Sequence, residues 1–182
     1  MISRPLKGQQ RTLTFSFLIT LASMDRPIRH SSLDFRIMDS GLPIDIDHYL
    51  NDLLKTHPEC EVHIGTDSQN HGPHTVYVST IVIRFPGQGA HVLYRKERLP
   101  IIKDMFTKLW GELERSIGLA QFLENDLNIP VKQIDLDYNE DPSFPSHKVL
   151  TAASGYVQAM GFRVKAKPEM LMATWAANVL CN

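Results

Sequence analysis

Apolar and polar positions alternate most sharply at Val62-His63-Ile64-Gly65-Thr66-Asp67-Ser68-Gln69, where Val62, Ile64 and Thr66 fall on one side of a strand and His63, Gly65 and Asp67 on the other. The predicted strand runs into an acid, and Ser68 to His74, with Asn70, Gly72 and Pro73, reads as the turn after it. Gly65, two residues before the acid, lets another element or a ligand approach the backbone closely. Upstream, Ile46, Tyr49, Leu50, Leu53 and Leu54 recur at helical spacing between Pro43-Ile44-Asp45 and Pro58. Residues 24–41 hold no period and read as an irregular lead-in. Downstream, Thr75 to Phe85 and Ala90 to Glu97 are strands joined by Pro86-Gly87-Gln88-Gly89, so two short connections in a row predict an antiparallel meander of three strands.

The period then changes. Ile102, Met105, Phe106, Leu109, Leu113, Ile117, Ala120, Leu123 and Leu127 line one face of a helix from about Pro100 to about Asp126. At about 100° per residue from Leu109, Glu112 lies at about −60°, inside the apolar stripe. A carboxylate there is costly unless paired; a margin position from which it reaches Lys108 one turn back accounts for the pattern equally well. Val131 to Tyr138 reads as a strand with Asp135 and Asp137 on one face, and Asn139 to Pro145 as a loop. Ser146 is placed to cap a helix with the face Val149, Ala153, Tyr156, Val157 and Met160, stopped by Gly161. Phe162 to Ala166 is a short strand, and Pro168 opens a closing helix with the face Met170, Ala173, Thr174, Ala177 and Leu180, bordered by Asn178. The strand–helix–strand connections require parallel crossovers, so a mixed five-stranded sheet is predicted. Sites in such sheets form at the carboxyl ends of parallel strands, where Asp67 and Asp137 fall.

Composition narrows the function. The 182 residues, 43% hydrophobic and 21% charged, suit one domain with a short N-terminal appendage. A net charge of −1 and a pI near 6.7 exclude a non-specific nucleic-acid coat protein, so nucleic-acid binding would rest on a local basic patch. Lys148, Arg163, Lys165 and Lys167 are its candidates, with a solvated face as the plainer reading of each. Cys60 and Cys181, far apart and in no metal-type spacing, predict free thiols and a cytoplasmic location. Leu13 to Ala22 imitates a secretory signal, but hydroxyl residues interrupt it and it is too short to span a bilayer; a start at Met24 is the simpler account. His71 and His74 read as a hairpin tip before a metal pair, His147 as a weak acid–base candidate, and Trp110 and Trp175 as edge aromatics that pack or stack.

The motifs Ile64-Gly65-Thr66-Asp67-Ser68-Gln69, Leu109-Trp110-Gly111-Glu112, Ile134-Asp135-Leu136-Asp137-Tyr138-Asn139 and Lys167-Pro168 together resemble the YkuK family of bacterial domains, of the ribonuclease H-like group. The resemblance runs from about Leu33 to the C-terminus, leaving residues 1–32 as an N-terminal extension and 33–182 as the domain. It implies a ribonuclease H-like α/β fold with helices on both faces of the sheet. It also implies that Asp67, Glu112 and Asp137 hold a pair of divalent ions, Mg²⁺ or Mn²⁺, in a phosphodiester hydrolase of RNA, DNA or hybrid. The fourth acid expected on the closing helix is matched by Asn178, whose amide brings no charge. That departure supports an alternative, a catalytically silent module of the same fold binding nucleic acid or protein.

Overall fold

The computed structural model describes residues 31–32 and 34–182. In chain order these form β1 (Phe35–Ile37), β2 (Pro43–Ile44), α1 (Ile46–Thr56), β3 (Glu61–His71), β4 (His74–Phe85) and β5 (Gly89–Pro100). There follow α2 (Met105–Gln121), a π-helical turn over Phe122–Asp126, β6 (Gln133–Asn139), α3 (His147–Ala159), β7 (Val164–Lys167) and α4 (Met172–Cys181). The sequence-based expectations for residues 1–30, the signal-like run among them, lie outside the described residues.

The strands form one mixed sheet in the order β2-β1-β5-β4-β3-β6-β7, with β6 and β7 parallel to β3 and the other pairings antiparallel. It has seven strands, not the five expected. The additional two lie in and just after the stretch read as irregular, where β1 pairs with β5 and β2 with β1. Strands of three and two residues are too short to print a period of their own; the edge of β5 supplies hydrogen bonds to β1, and β1 in turn to β2.

The β3 strand also runs further than its pattern predicts. Its ladder with β4 continues past Asp67 to the pair His71 and His74, closed by Gly72 at φ +55° and Pro73. On its other edge, β3 pairs with β6 only from His63 opposite Gln133 to Gly65 opposite Asp135. The two strands therefore part just before Asp67 and Asp137, and a crevice opens there at the carboxyl ends of parallel strands.

The main core lies on one face of the sheet. Ile64, Ile81, Ile134 and Leu136 meet Leu50 of α1, Leu113 and Leu119 of α2 and Ala153 of α3. Fully burying an aliphatic side chain of this kind stabilises by about 1.5–3 kcal/mol. Among the described residues, the opposite face carries α4, packed through Ala173, Ala176, Ala177 and Cys181 against Val78 and Val82.

Helix starts follow local chemistry. Asp45 accepts from the Asp47 amide and Asp104 from the Thr107 amide, so α2 begins at Met105, later than the periodicity suggested, because β5 uses the chain up to Pro100. Ser146 stands at the start of α3, but its hydroxyl accepts from the Asn139 amide and ties the helix to the end of β6. Among the described residues, no helix is long and apolar enough to cross a membrane.

Candidate metal centre and adjoining pocket

Gly65 decides how α4 meets the sheet. A Cβ at this position would stand 2.7 Å from the Thr174 nitrogen and 2.9 Å from the Ala173 carbonyl carbon, so only glycine lets the first turn of α4 rest on β3. Asp135, fully buried, takes the Ala173 amide at 2.9 Å and the Gln133 side-chain amide at 2.7 Å, while Thr80 donates to the Ala173 carbonyl at 2.8 Å. Burial still pushes the Asp135 carboxyl above the ordinary carboxylate range despite these donors. Asp135 thus caps a helix and leaves the open chemistry to Asp137. The start of α4 is set by this buried acceptor, and the helix begins at Met172 instead of Pro168.

Glu112 comes from the opposite face. It is 4% exposed, and Ser68 Oγ donates to its Oε1 at 2.6 Å. Its pKa is pushed up to about 8, first by burial and then by the charges of Asp67 and Asp137, with Ser68 and Lys108 pulling the other way. Of the two readings left open for Glu112, the structure has the buried one: Lys108 Nζ approaches the Ser68 carbonyl at 3.4 Å instead of pairing with the acid. Two tyrosines hold this part of α2 down. Tyr77 donates to the Lys108 carbonyl at 3.2 Å and Tyr138 to the Leu109 carbonyl at 2.5 Å. Gly111 leaves room for the first, since a Cβ there would stand 2.6 Å from the Tyr77 hydroxyl oxygen.

Asp67 and Asp137 lie on the α4 face, where β3 and β6 separate. Burial raises the Asp67 pKa most, the Ser68 amide opposes it, the Asp137 charge adds to it, and Lys108 and Lys167 lower it. Lys167 Nζ sits 2.5 Å from Asp137 Oδ1. Asn178 is exposed on α4 and, with Asp137, Lys167, Leu171, Thr174 and Trp175, lines a pocket of about 230 Å³. The three acids of the expected ligand set thus come from β3, α2 and β6 and feel one another's charge. Among the described residues, no three Asp, Glu, His or Cys side chains stand together as a finished ligand set for a single ion.

The donor chemistry nonetheless suits a hard divalent cation, with three carboxylates and an amide oxygen. A soft ligand near the acids is disarmed: burial, then the charges of Asp67 and Glu112, push the Cys181 thiol up to about 12. Both cysteines are free thiols.

The other candidates separate from this centre. Lys165 pairs with Glu169 at 3.1 Å, and Lys148 and Arg163 are exposed, so of the four expected phosphate contacts Lys167 alone is on the pocket wall. His71 meets the Cys181 carbonyl at 2.8 Å and His74 meets Arg98 at 3.0 Å, which engages the two hairpin-tip imidazoles separately. The carboxylate that feels His147 is Asp141, in the loop before α3. Trp110 stacks between Phe106 and Tyr156, with ring centroids 5.7 and 5.8 Å apart. Ser68, a turn residue by its local pattern, instead faces α2 and holds Glu112; its parity with Ile64 and Thr66 is the signal in the sequence that points there. Nothing in the local pattern marked Tyr77 and Tyr138 as the supports of Glu112.

A mixed sheet with parallel strands beside its meander, and acids from two strand ends and the following helix, defines a ribonuclease H-like architecture. The family model described as ribonuclease H-like matches residues 45–181, and the chain belongs to this family, that of the YkuK domain. No curated protein and no solved structure matches the chain.

Proposed function

We propose that the protein is a divalent-metal-dependent phosphodiester hydrolase acting on RNA, DNA or a hybrid. The observation that carries this reading is Glu112, a buried carboxyl that feels the charges of Asp67 and Asp137, the two acids that stand where β3 and β6 part. Asp67, Glu112 and Asp137 would hold Mg²⁺ or Mn²⁺, with the Asn178 amide as a weaker fourth donor. When bound, the ions supply the charge that makes water a usable nucleophile and stabilises the departing oxygen. The chain's own residues prepare the ground. The Ser68 hydroxyl fixes the Glu112 carboxylate, and the tyrosine anchors on α2 fix its backbone. Lys167, now on Asp137, offers its ammonium to the phosphate when a cation takes its place.

A second reading, a catalytically silent binding module, draws on Asn178 in place of an acid and on Lys167 as a built-in counter-ion for Asp137. One experiment separates them. At a free ion concentration about ten times Kd, metal binding stabilises by about 1.4 kcal/mol, or about 3–6 °C in the thermal midpoint for a domain of this size. Asp67→Asn should remove most of that rise and the cutting of a mixed RNA, DNA and hybrid panel; Asn178→Asp should enlarge the rise. No shift with Mg²⁺ or Mn²⁺, no cleavage, and a metal-free Asp67→Asn variant more stable than the wild type would establish the silent module.

A further inference from the structure

We propose that the pocket beside Asp137 takes an unpaired nucleobase, with Trp175 as its stacking platform, so that the substrate of this centre is a single strand. The inference deepens the hydrolase reading, because it concerns the nucleotide next to the phosphate that Asp137 would face.

Trp175 is 65% exposed, although its neighbours Ala173, Thr174, Ala176 and Ala177 on α4 are buried. The ring pairs among the described residues gather at Phe106, Trp110 and Tyr156 and around Phe85, and none includes the Trp175 indole. Leaving so large an apolar ring in water forgoes the burial that tryptophan ordinarily obtains.

The rest of the lining gives the ring a purpose. The pocket of about 230 Å³ is lined by Asp137 of β6, Lys167 of β7, Glu169 and Leu171 of the segment after it, and Thr174, Trp175 and Asn178 of α4; Glu169 is already paired with Lys165. An indole face accepts any base by stacking; the Asn178 amide, whose oxygen would serve the cation and has Asn182 Nδ2 at 3.5 Å, still offers its N–H donors to a base edge; and a lysine suits the adjoining phosphate. Asn178 lies three residues after Trp175, hence on the same side of α4. A base within a duplex has both faces covered by its neighbours and its pairing edge used, so only an unpaired base can engage ring and amide together.

Trp110→Phe keeps an aromatic ring in the α2–α3 stack and leaves Trp175 as the sole tryptophan, so its emission reports on the pocket. Ten-nucleotide rA, rU, dA and dT strands and the rA·dT duplex are titrated in Ca²⁺ and again in EDTA. The single strands are expected to quench the emission saturably and the duplex to quench it much less. With fluorescently labelled strands, Trp175→Ala in the otherwise natural chain is expected to weaken binding about tenfold or more, Trp175→Phe to stay within about threefold, and Asn178→Ala to even out the preference among the four strands. The proposal is overturned if no single strand quenches, if the duplex quenches as strongly, or if Trp175→Ala binds as tightly as the wild type. An unchanged base preference in Asn178→Ala would overturn the edge contact. Quenching with no cleavage of the same strands in Mg²⁺ or Mn²⁺ defeats the hydrolase reading and leaves the base site standing; cleavage in those ions with Trp175→Ala binding unimpaired does the reverse.

Discussion

Burial raises the Glu112 carboxyl to about 8, and a group whose folded pKa lies above its unfolded value is stabilising only while it keeps its proton. Without metal, the stability of the chain should therefore fall as pH rises from the ordinary glutamate range towards 8, and level off above it. Glu112→Gln keeps an oxygen for the Ser68 hydroxyl and cannot ionise. It should match the wild type near pH 4 and exceed it by about 1 kcal/mol or more near pH 8.5. Urea midpoints across that range test this, and a gap that does not widen with pH would refute the assignment. A neighbouring side chain makes a second case. Lys167 competes with any cation for Asp137, so Lys167→Met should tighten Mn²⁺ binding several-fold, read by calorimetry, while weakening the binding of a nucleic-acid strand.

Between elements, the contact that matters most is α4 on β3. Gly65→Ala would set a methyl group against the backbone of Ala173 and Thr174, which cannot turn aside as a side chain tip can. Overpacking of this kind costs about 1–3 kcal/mol, so a thermal midpoint lower by several degrees is expected, and an unchanged midpoint would mean that α4 has moved freely. Asp135→Ala should cost a similar ~1–3 kcal/mol by leaving the Ala173 amide without its acceptor, and Asp135→Asn less. At this scale the sequence was legible where a pattern repeats: the meander, the long helix and the order of the parallel strands all showed in periodicity. Of the proposed acids, Glu112 stood out as a carboxylate within an apolar stripe, and Asp67 and Asp137 as acids at strand ends; grouping the three came from the family resemblance, not from periodicity. What stayed hidden was set from outside the segment concerned. Strand β1 borrows the edge of β5 and β2 that of β1, the start of α4 is fixed by Asp135 from another strand, and the extension of β3 to His71 is imposed by its ladder with β4.

For the molecule as a whole, a net charge of −1 means that attraction to a polyanion must be local. Lys167 is the one of the four basic candidates on the pocket wall, with Lys165 already engaged by Glu169. Binding of a single strand should then weaken only gently with salt, by roughly 0.7 in log–log slope for each phosphate met. Lys167→Ala should lower the magnitude of that slope by about the same amount, whereas Lys148→Ala, out on α3, should leave it unchanged. Titrations from low to moderate salt decide this, and equal effects of the two substitutions would speak for a diffuse surface instead of a defined contact.

The seat of α4 on Gly65 makes position 65 the datum from which the far wall of the crevice is measured. Asp67 stands two residues along the same strand, and Trp175 and Asn178 stand on the helix that touches down beside it, so the span between acid and platform is a sum of main-chain lengths. Aliphatic exchanges in the core on the other face have little leverage over that span. Attempts to widen the cleft for bulkier ligands would do better to shift the helix along its axis, one residue being a step of about 1.5 Å, than to carve at the side chains lining it.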